Sequence, residues 1–381
     1  MKKNLLSTFM FFMASIMLNS QAIIIDHNSG DLANIPGQWI NSAKANLFIG
    51  YGHTSHGSQL TSGMNALKSH FTDGEYDWSH SGGEGILHLF EGSSYGEGYL
   101  DHDCGYSGWD DLTRTYLDNT PECNVIIWSW CGQVNDVDLE THYLNRMNQL
   151  ESEYPDVKFV YMTGHLEGGG PDGSLFLANQ QIRDYCNDNN KILFDFADIE
   201  KYDPDAEINY QEYNCNDACS YNKPEGGTAN WANDWMAANP DHLLTQIAQK
   251  CGSCAHSVSL NCVKKGIATW YLWARLAGWD GGSISVNESF YTNNFISIRC
   301  LPNPTVQESV NISYRIPFDD NVNVTIFNQQ GVEIRQFISN EFQPAGFHEI
   351  NFSTQTLSSG VYYINIEVGI LSATEKIIVI K

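Results

Sequence analysis

A serine lies between two histidines in the segment Gly52-His53-Thr54-Ser55-His56-Gly57, directly after an apolar run. In a tight turn after a buried strand, a serine hydroxyl can attack a carbonyl carbon once a neighbouring base removes its proton. We therefore predict Ser55 as a catalytic nucleophile, with Thr54 competing for the same role. The alternative is structural, because Thr54, Ser55 and Ser58 could instead cap the helix that follows.

The base for such a nucleophile is predicted at His256. This residue lies in the loop Cys251-Gly252-Ser253-Cys254-Ala255-His256-Ser257, immediately before a strongly apolar helical segment. A general base must be held within hydrogen-bond reach of the proton that it removes, and the nearby cysteines indicate a rigid loop.

A second pattern of residues points to a metal. His53, His56 and His165 each follow a predicted strand, and Glu167 and the pair Asp195/Asp198 could add carboxylates. Three such ligands with one open position would bind zinc and activate a water molecule. A metal-dependent hydrolase is therefore the alternative to the serine enzyme, for which we expect no metal and no cofactor.

Four nearly continuous apolar runs predict strands that are buried on both faces, as in a parallel sheet. They span residues 46–52, 124–130, 158–163 and 191–196. Helical periodicity is found at residues 139–154, 177–187 and 262–278. The alternation predicts an α/β fold with a doubly wound, mostly parallel, flavodoxin-like sheet, whose ligands bind beyond the carboxyl ends of the strands. Those ends coincide with residues 53–58, 132–135 and 164–167.

The charge balance excludes one class of partner. The 381 residues include 20 Lys and Arg against 45 Asp and Glu, a net charge of −25. Residues 283–381 hold nine acids and five bases and residues 1–22 hold two lysines, which leaves −23 for residues 23–282. Because so acidic a surface repels phosphate backbones, we expect no nucleic-acid partner.

The first residues of the chain predict export. Lys2 and Lys3 precede an apolar stretch from Leu5 to Leu18, and small and polar residues follow as far as Ala22. This order is typical of a cleaved signal peptide, which we assign to residues 1–22. No later run offers the ~20 apolar residues that a membrane span needs, so we expect no transmembrane segment in the mature chain.

Ten cysteines in an exported chain favour disulfide bonds. Pairs that are close in sequence are the simplest candidates: Cys215–Cys219 and Cys104–Cys123. The alternative is a zinc site whose spacing suits four thiolates: Cys215, Cys219, Cys251 and Cys254.

Composition changes near Gly282, since all ten Trp, eleven of the twelve His and nine of the ten Cys precede it. Beyond that point, alternating apolar segments separated by turn residues predict a small all-β sandwich. These segments are 310–316, 322–327, 360–366 and 376–381. We therefore predict a signal peptide (1–22), an α/β hydrolase-like domain (23–282), a linker (283–297) and a β-sandwich (298–381).

The tail resembles the C-terminal sorting domain of the type IX secretion system. The resemblance rests on Leu301-Pro302-Asn303-Pro304, the strand that ends at Phe327 before Gly331, the segment Leu357-Ser358-Ser359-Gly360-Val361-Tyr362, and the terminal lysine-rimmed strand. It implies a Bacteroidetes-type bacterium and export through the periplasm by the type IX machinery. The protein would then be secreted or attached to the cell surface.

Residues 23–282 resemble the SGNH/GDSL-like hydrolases in the order of three short motifs. These are Ser55 after the first strand, the segment Gly132-Gln133-Val134-Asn135-Asp136 after a central strand, and His256 before the last helix. The resemblance implies that Ser55 is the nucleophile and His256 the base, with Gly132 and either Gln133 or Asn135 as oxyanion donors. Ser253 stands where the family has its acid, so an acid from elsewhere or a backbone carbonyl must orient the base.

Together these features predict a secreted ester hydrolase that acts on an acylated carbohydrate. Four side chains near the nucleophile are expected to bind the substrate: His53, Thr54, His56 and His165. The alternative from a different class is a surface glycan-binding or adhesive protein, without catalysis, whose Trp and Tyr side chains stack on sugars.

Overall fold

The fold is that of a computed structural model, which describes residues 22–92, 100, 102–106, 108–281, 296–301, 303–306, 309–316, 319–344, 346–369 and 371–381. The predicted signal peptide, apart from Ala22, and most of the predicted linker lie outside these residues. The chain divides into two units between residues 286 and 287. Within the described residues, no helix has the length and apolar character that crossing a bilayer requires.

The N-terminal unit is built on a seven-stranded sheet in which all neighbouring strands are parallel. Its strands are β1 (Ile23–Ile25), β2 (Phe48–Gly52), β3 (Trp78–Ser79), β4 (Leu87–Glu91), β5 (Val125–Trp128), β6 (Lys158–Met162) and β7 (Ile192–Phe194). The spatial order is β1-β7-β6-β5-β2-β4-β3. Read from β4 to β7, this is the flavodoxin-like order of doubly wound folds, in which the ligand-binding switch point lies between β2 and β5.

Helices connect the strands and cover the sheet. They are α1 (Gly37–Asn46), α2 (Ser58–His70), α3 (Trp109–Asn119), α4 (Asn145–Glu153), α5 (Ser174–Asp188), α6 (Phe196–Glu200), α7 (Trp231–Ala238), α8 (Leu243–Ala248) and α9 (Ser259–Leu276). A π-helical turn, Glu140–Leu144, runs directly into α4. A short antiparallel hairpin of β8 (Ser220–Asn222) and β9 (Thr228–Asn230) precedes α7.

Helices α2 and α9 cross unusually closely, at two glycines. A Cβ atom at Gly63 would lie 1.8 Å from the carbonyl oxygen of Cys262, and one at Gly266 would lie 2.3 Å from the carbonyl carbon of Gly63. Only glycine fits at such a backbone contact. The crossing fixes the first turn of α2 relative to the first turn of α9, and both turns adjoin the site described below.

The C-terminal unit consists of two antiparallel sheets. Its strands are β10 (Ser297–Leu301), β11 (Ser309–Ile316), β12 (Asp320–Asn328), β13 (Glu333–Gln343), β14 (Gly346–Ser353), β15 (Gly360–Val368) and β16 (Leu371–Val379). Strands β10-β11-β14 form one sheet and β13-β12-β15-β16 the other. Alternate residues of both sheets bury their side chains in one core, which includes Ile312, Tyr314, Val324, Ile326 and Ile364.

The predicted α/β character and the antiparallel β tail are both confirmed. The four predicted strands correspond to β2, β5, β6 and β7, and the three predicted helices correspond to α4 with its π-turn, α5 and α9. The short strands β1 and β3, at the two edges of the sheet, and β4, next to β3, were not predicted. They have two to five residues each, too few to show a clear period.

Candidate functional site

Three histidine rings form a stack at the carboxyl edge of the sheet. His56 follows β2, His165 follows β6, and His256 lies in the loop before α9. The ring centroids of His56 and His165 are 3.8 Å apart, and the two ring planes are inclined by 4°. The ring centroids of His56 and His256 are 4.2 Å apart, with planes inclined by 12°. His56 and His165 are buried and His256 is exposed. The stack therefore runs from the protein interior to the surface.

His56 is hydrogen-bonded at both ring nitrogens. Its Nδ1 lies 3.2 Å from Sγ of Cys131, which follows β5, and its Nε2 lies 3.1 Å from Oδ2 of Asp217. Since a carboxylate only accepts, Nε2 carries the proton and Nδ1 accepts from the thiol. A nucleophile, an imidazole and a carboxylate in series is the arrangement that activates nucleophiles in acyl-transfer enzymes.

The surroundings of His56 favour its neutral form. Burial lowers the pKa of His56, and the neighbouring His165 and His256 lower it further, against the opposing hydrogen bond to Asp217. For Asp217, burial raises the pKa, but the hydrogen bond from His56 and the nearby imidazoles outweigh it and hold the pKa below its usual range. At neutral pH the site thus contains a neutral His56 beside an ionised Asp217.

Ser55 lies at the exposed rim of this cluster. Its Oγ is 3.8 Å from Sγ of Cys131, and its carbonyl oxygen accepts a 2.6 Å hydrogen bond from Oγ of Ser58. In the described part of the chain, no hydrogen bond joins Ser55 Oγ to His256. The two side chains nevertheless belong to one neighbourhood, because Cys131 links Ser55 to His56 and the ring of His256 lies on His56.

Thr54 and His53 face a different set of partners. The hydroxyl of Thr54 donates to Oδ2 of Asp103 at 2.5 Å, and its backbone N–H donates to Oδ1 of the same carboxylate at 3.0 Å. His53 is 1% exposed, with Nε2 3.2 Å from Oε2 of Glu91 and Nδ1 2.8 Å from the carbonyl oxygen of Thr54. The predicted metal ligands His53, His56 and His165 are thus not gathered together, since both nitrogens of His53 are engaged elsewhere.

The three predicted oxyanion donors differ in whether they already have hydrogen-bond partners and in how exposed they are. Gln133 is buried; its Oε1 accepts from the N–H of Cys131 at 3.1 Å and its Nε2 donates to the carbonyl oxygen of Cys104 at 2.8 Å. Asn135 donates through Nδ2 to Oγ of Ser174 at 2.9 Å. Gly132 is exposed, and a Cβ atom there would meet nothing within 4 Å. Open space around Gly132 leaves room for a substrate, whereas the side chain of Gln133 shapes the turn.

A different set of donor groups could hold a metal ion. Ligand atoms of His56, Asp217 and His256 all lie within 4.8 Å of one another. The buried Nε2 of His165 has no hydrogen-bond partner among the described residues. Imidazole and carboxylate are the ligands that zinc takes in catalytic sites. The stacked rings lie in nearly parallel planes, inclined by 4° and 12°.

The cysteines are arranged differently from the prediction. Cys254 and Cys262 form a disulfide, which joins the His256 loop to α9. Four thiols that were predicted to pair are free and buried: Cys104, Cys123, Cys215 and Cys219. Cys104 and Cys123 each donate to a different carbonyl, that of Ser129 and that of Val125. The predicted thiolate zinc set is also wrong, because its member Cys254 is consumed by the disulfide.

Sequence reasoning missed two members of the site, Cys131 and Asp217. Cys131 directly precedes the predicted segment Gly132–Asp136, and it is one of the ten cysteines for which disulfide bonds were predicted. Asp217 lies between Cys215 and Cys219, 161 positions from His56, so no local pattern connects the two. The available signal for Cys131 was its place at the carboxyl end of a central strand.

Comparisons with known proteins identify only the tail. No curated protein matches the chain. Among solved structures, the PKD domain of an M14-like peptidase from Thermoplasmatales archaeon SCGC AB-540-F20 is 18% identical, over 23% of this chain and 95% of that one, with a TM-score of 0.18. The endo-beta-1,4-mannanase from Thermotoga petrophila is 12% identical, over 72% of this chain and 50% of that one, with a TM-score of 0.19. At these scores neither structure informs the fold.

The comparisons give no support to the resemblance of residues 23–282 to SGNH/GDSL hydrolases, which remains a proposal. Residues 299–381 match the family described as "Secretion system C-terminal sorting domain". This match confirms the predicted sorting tail, and with it a protein that is secreted or held at the cell surface and that interacts with the type IX secretion machinery. The tail of this chain is a type IX sorting domain.

Proposed function

We propose that the N-terminal unit is an exported ester hydrolase of the SGNH-like type, which works by nucleophilic catalysis at the histidine stack. One observation carries the proposal. At the switch point between β2 and β5, the thiol of Cys131 lies 3.2 Å from Nδ1 of His56 and 3.8 Å from the hydroxyl of Ser55, and Nε2 of His56 is hydrogen-bonded to Asp217. The ligand-binding edge of a doubly wound sheet thus holds two candidate nucleophiles, two adjoining imidazoles that could serve as the base, and a carboxylate. These are the kinds of group that acyl transfer needs.

We assign the nucleophile to Ser55 and the base to His256. Both side chains are exposed and can therefore meet a substrate, and both adjoin His56. The backbone of His256 has a φ of 61°, a left-handed conformation that is uncommon for a residue with a side chain. Such strain often accompanies a functional constraint, which here would be the direction of the imidazole.

In this mechanism Ser55 Oγ attacks the carbonyl carbon of the ester while His256 takes the hydroxyl proton. The N–H of Gly132 would donate to the oxyanion, and His256 would then protonate the departing alcohol. Water, deprotonated by the same imidazole, would release the acid and restore Ser55. Asp217 and His56 support the face of His256 through the stack.

Cys131 is the rival nucleophile within the same reaction class. Its thiol already has the hydrogen bond to a base that Ser55 lacks, because His56 Nδ1 lies 3.2 Å away and Asp217 holds the opposite nitrogen. Cys131 is only partly exposed, whereas Ser55 is exposed. The easier access to substrate favours Ser55.

The charge of the unit indicates the substrate class. A net charge of −23 on residues 23–282 disfavours anionic substrates, so an uncharged acylated carbohydrate suits the site better. Tyr106 is 57% exposed, three residues after Asp103, which binds Thr54 beside the nucleophile. An exposed aromatic ring at this edge offers a flat surface for a sugar.

Covalent labelling of the purified protein tests the assignment. A fluorophosphonate should label the wild type, and Ser55→Ala should abolish the label and lower ester turnover by roughly 10³-fold or more. Ser58→Ala is the matched control, because the one hydrogen bond of its hydroxyl among the described residues is to the carbonyl of Ser55 in the turn. Turnover lost in Cys131→Ala but kept in Ser55→Ala would instead assign the thiol. Absence of label and of turnover from the wild type would leave the glycan-binding alternative.

A metal-dependent hydrolase is the second candidate function. It is favoured by the three ligand groups within 4.8 Å of one another and by the buried Nε2 of His165, which has no hydrogen-bond partner in the described part of the chain. A bound zinc ion would supply an activated water in place of a serine nucleophile. The two candidates differ in their response to chelators, which would remove the ion from a metal enzyme and leave a serine enzyme active.

A further inference from the structure

We propose that the buried ion pair of Lys265 and Glu200 is a positioning device that holds the histidine loops in register. Nζ of Lys265, on α9, lies 2.5 Å from Oε1 of Glu200, at the end of α6, and both side chains are 0% exposed. The inference rests on the proposed function, because it assigns these residues the task of positioning the imidazoles of that site.

Glu200 connects the pair to two of the three histidine loops. Its Oε2 accepts a 2.8 Å hydrogen bond from the N–H of Leu166, the residue after His165. Its Oε1 also accepts from Nδ2 of Asn261 at 3.3 Å, and the same Nδ2 donates to Oγ of Ser257 at 2.8 Å. Ser257 is the residue after His256. One carboxylate thus reaches the loops on both sides of the stack.

Lys265 connects the pair to the third loop and again to the second. Its ammonium donates to Oε1 of Gln59, which is fully buried in the first turn of α2, three residues after His56. Nε2 of Gln59 then donates to the carbonyl oxygen of Ala255 at 2.6 Å, and Ala255 precedes His256. The chain of hydrogen bonds therefore ties the segments of His56, His165 and His256 to one buried centre.

Stability alone does not account for this pair. Burying two charges has a desolvation cost that often equals or exceeds their attraction, and well-packed apolar replacements are frequently as stable. What apolar residues cannot supply is directional hydrogen bonding to the Leu166 N–H and, through Gln59, to the Ala255 carbonyl. The network makes no contact with the ring atoms of the stack among its described hydrogen bonds, so these are positioning residues.

The neighbouring Lys264 provides a matched control. It is also buried on α9, at 3% exposure, but its ammonium donates to the carbonyl oxygens of Ile199 and Tyr202. Loss of either lysine removes a buried charge from the same helix. Among the described hydrogen bonds of the two lysines, only those of Lys265 lead to the histidine loops, through the side chains of Gln59 and Glu200.

The test compares Lys265→Met, Lys264→Met and the double variant Lys265→Met/Glu200→Leu in the full chain. Hydrolysis of p-nitrophenyl acetate and thermal unfolding are measured together. We expect Lys265→Met to lower kcat by roughly 10- to 100-fold with KM little changed, because a small misplacement of a base is costly. Lys264→Met should keep kcat within about twofold at a comparable loss of melting temperature. The double variant should have a higher melting temperature than Lys265→Met, but its kcat should stay as low.

A second readout does not depend on hydrolysis. Ring-proton NMR signals of stacked imidazoles shift with ring separation, so Lys265→Met should move the His56 and His256 signals and Lys264→Met should leave them in place. A double variant that regains both stability and wild-type kcat, or unchanged ring signals in Lys265→Met, would overturn the positioning role. Moved signals in a protein that hydrolyses no ester would keep the positioning role and reject the proposed function.

Discussion

The imidazole of His256 lies flat on that of His56, with ring centroids 4.2 Å apart and planes inclined by 12°. His165 covers the opposite face of His56 at 3.8 Å. Protonation of the central ring would place a charge between two other basic rings in a buried site. The stack therefore favours the neutral form of His56, whose pKa is lowered by burial and by its two neighbours, and the protein should respond to acid.

The first prediction concerns pH and stability. Burial, with help from His165 and His256, lowers the folded-state pKa of His56 below the ordinary value of 6.5. The unfolded chain then binds the proton more readily, so the stabilising contribution is complete above about pH 6.5 and is lost as the pH falls through the folded-state pKa. Denaturant unfolding between pH 8 and pH 5 measures this effect. As the pH falls, the free energy of unfolding should decrease less for His56→Asn than for the wild type. Equal declines would show that His56 does not carry this dependence.

The sequence predicted the edge of the sheet at which the site lies, but not how the residues after β2 separate. Strand β2 lies between β4 and β5, so polar residues that follow it can turn to either side. His53 turns toward Glu91 at the end of β4, whereas His56 turns toward Cys131 after β5. Spacing alone could not separate these two histidines, because the choice depends on the neighbouring strands.

Long-range partners were equally beyond the sequence. Asp217 and Glu200 carry no local motif that links them to His56 or to the loop of His165. Their roles arise from tertiary contacts between residues that are distant in sequence. His56 and Asp217 are 161 positions apart, and Leu166 and Glu200 are 34 positions apart. The acids just before Glu200 in the chain are buried and ion-paired. Asp195 pairs with Arg183 at 2.6 Å and Asp198 pairs with Lys201 at 2.6 Å.

The second prediction concerns the disulfide that frames His256. Cys254 and Cys262 are eight positions apart and tie the loop to the first turn of α9. Replacing both with alanine should lower the free energy of unfolding by about 2 to 3 kcal/mol on a chain-entropy estimate, and should lower kcat because the base loses its support. Cys251→Ala, which removes a free thiol from the same loop, is the control and should do neither. Denaturant unfolding measures the effect on stability, and ester turnover measures the effect on kcat. Full activity in the variant that lacks both cysteines would contradict the role of the disulfide.

The third prediction concerns the crossing of α2 and α9. Gly63→Ala would bring a methyl group to 1.8 Å from the carbonyl oxygen of Cys262, so the helices must move apart. We expect destabilisation at or above the ~1–3 kcal/mol of ordinary overpacking, together with reduced turnover, because α2 and α9 begin beside His56 and His256. Gly252→Ala should be neutral, since nothing lies within 4 Å of a Cβ there. Thermal unfolding of the two variants measures the difference in stability. Equal melting temperatures would show that the helix crossing tolerates a side chain.

The fourth prediction concerns the independence of the two units. The apolar core of the tail is formed by its own residues, from Ile296 to Val379, and the N-terminal unit has its own sheet and helices. A chain of residues 23–282 should therefore melt cooperatively and retain its ester turnover. Calorimetry of that chain, with full-length protein as the reference, provides the measurement. Aggregation or a broad transition would show that the tail is needed for folding.

The last prediction separates the serine enzyme from the metal enzyme. In the serine mechanism a chelator leaves turnover unchanged, because no step requires an ion. Added zinc should inhibit, since His56, Asp217 and His256 present ligand atoms within 4.8 Å of one another and zinc would take the nitrogen that the base needs. Asp217→Asn removes an anionic ligand and should weaken this inhibition. Asp241→Asn is the control and should not weaken it, because Asp241 is exposed and is not one of the three ligand residues. Turnover that a chelator abolishes and zinc restores would instead establish the metal-dependent hydrolase, and Ser55→Ala would then retain most of its activity.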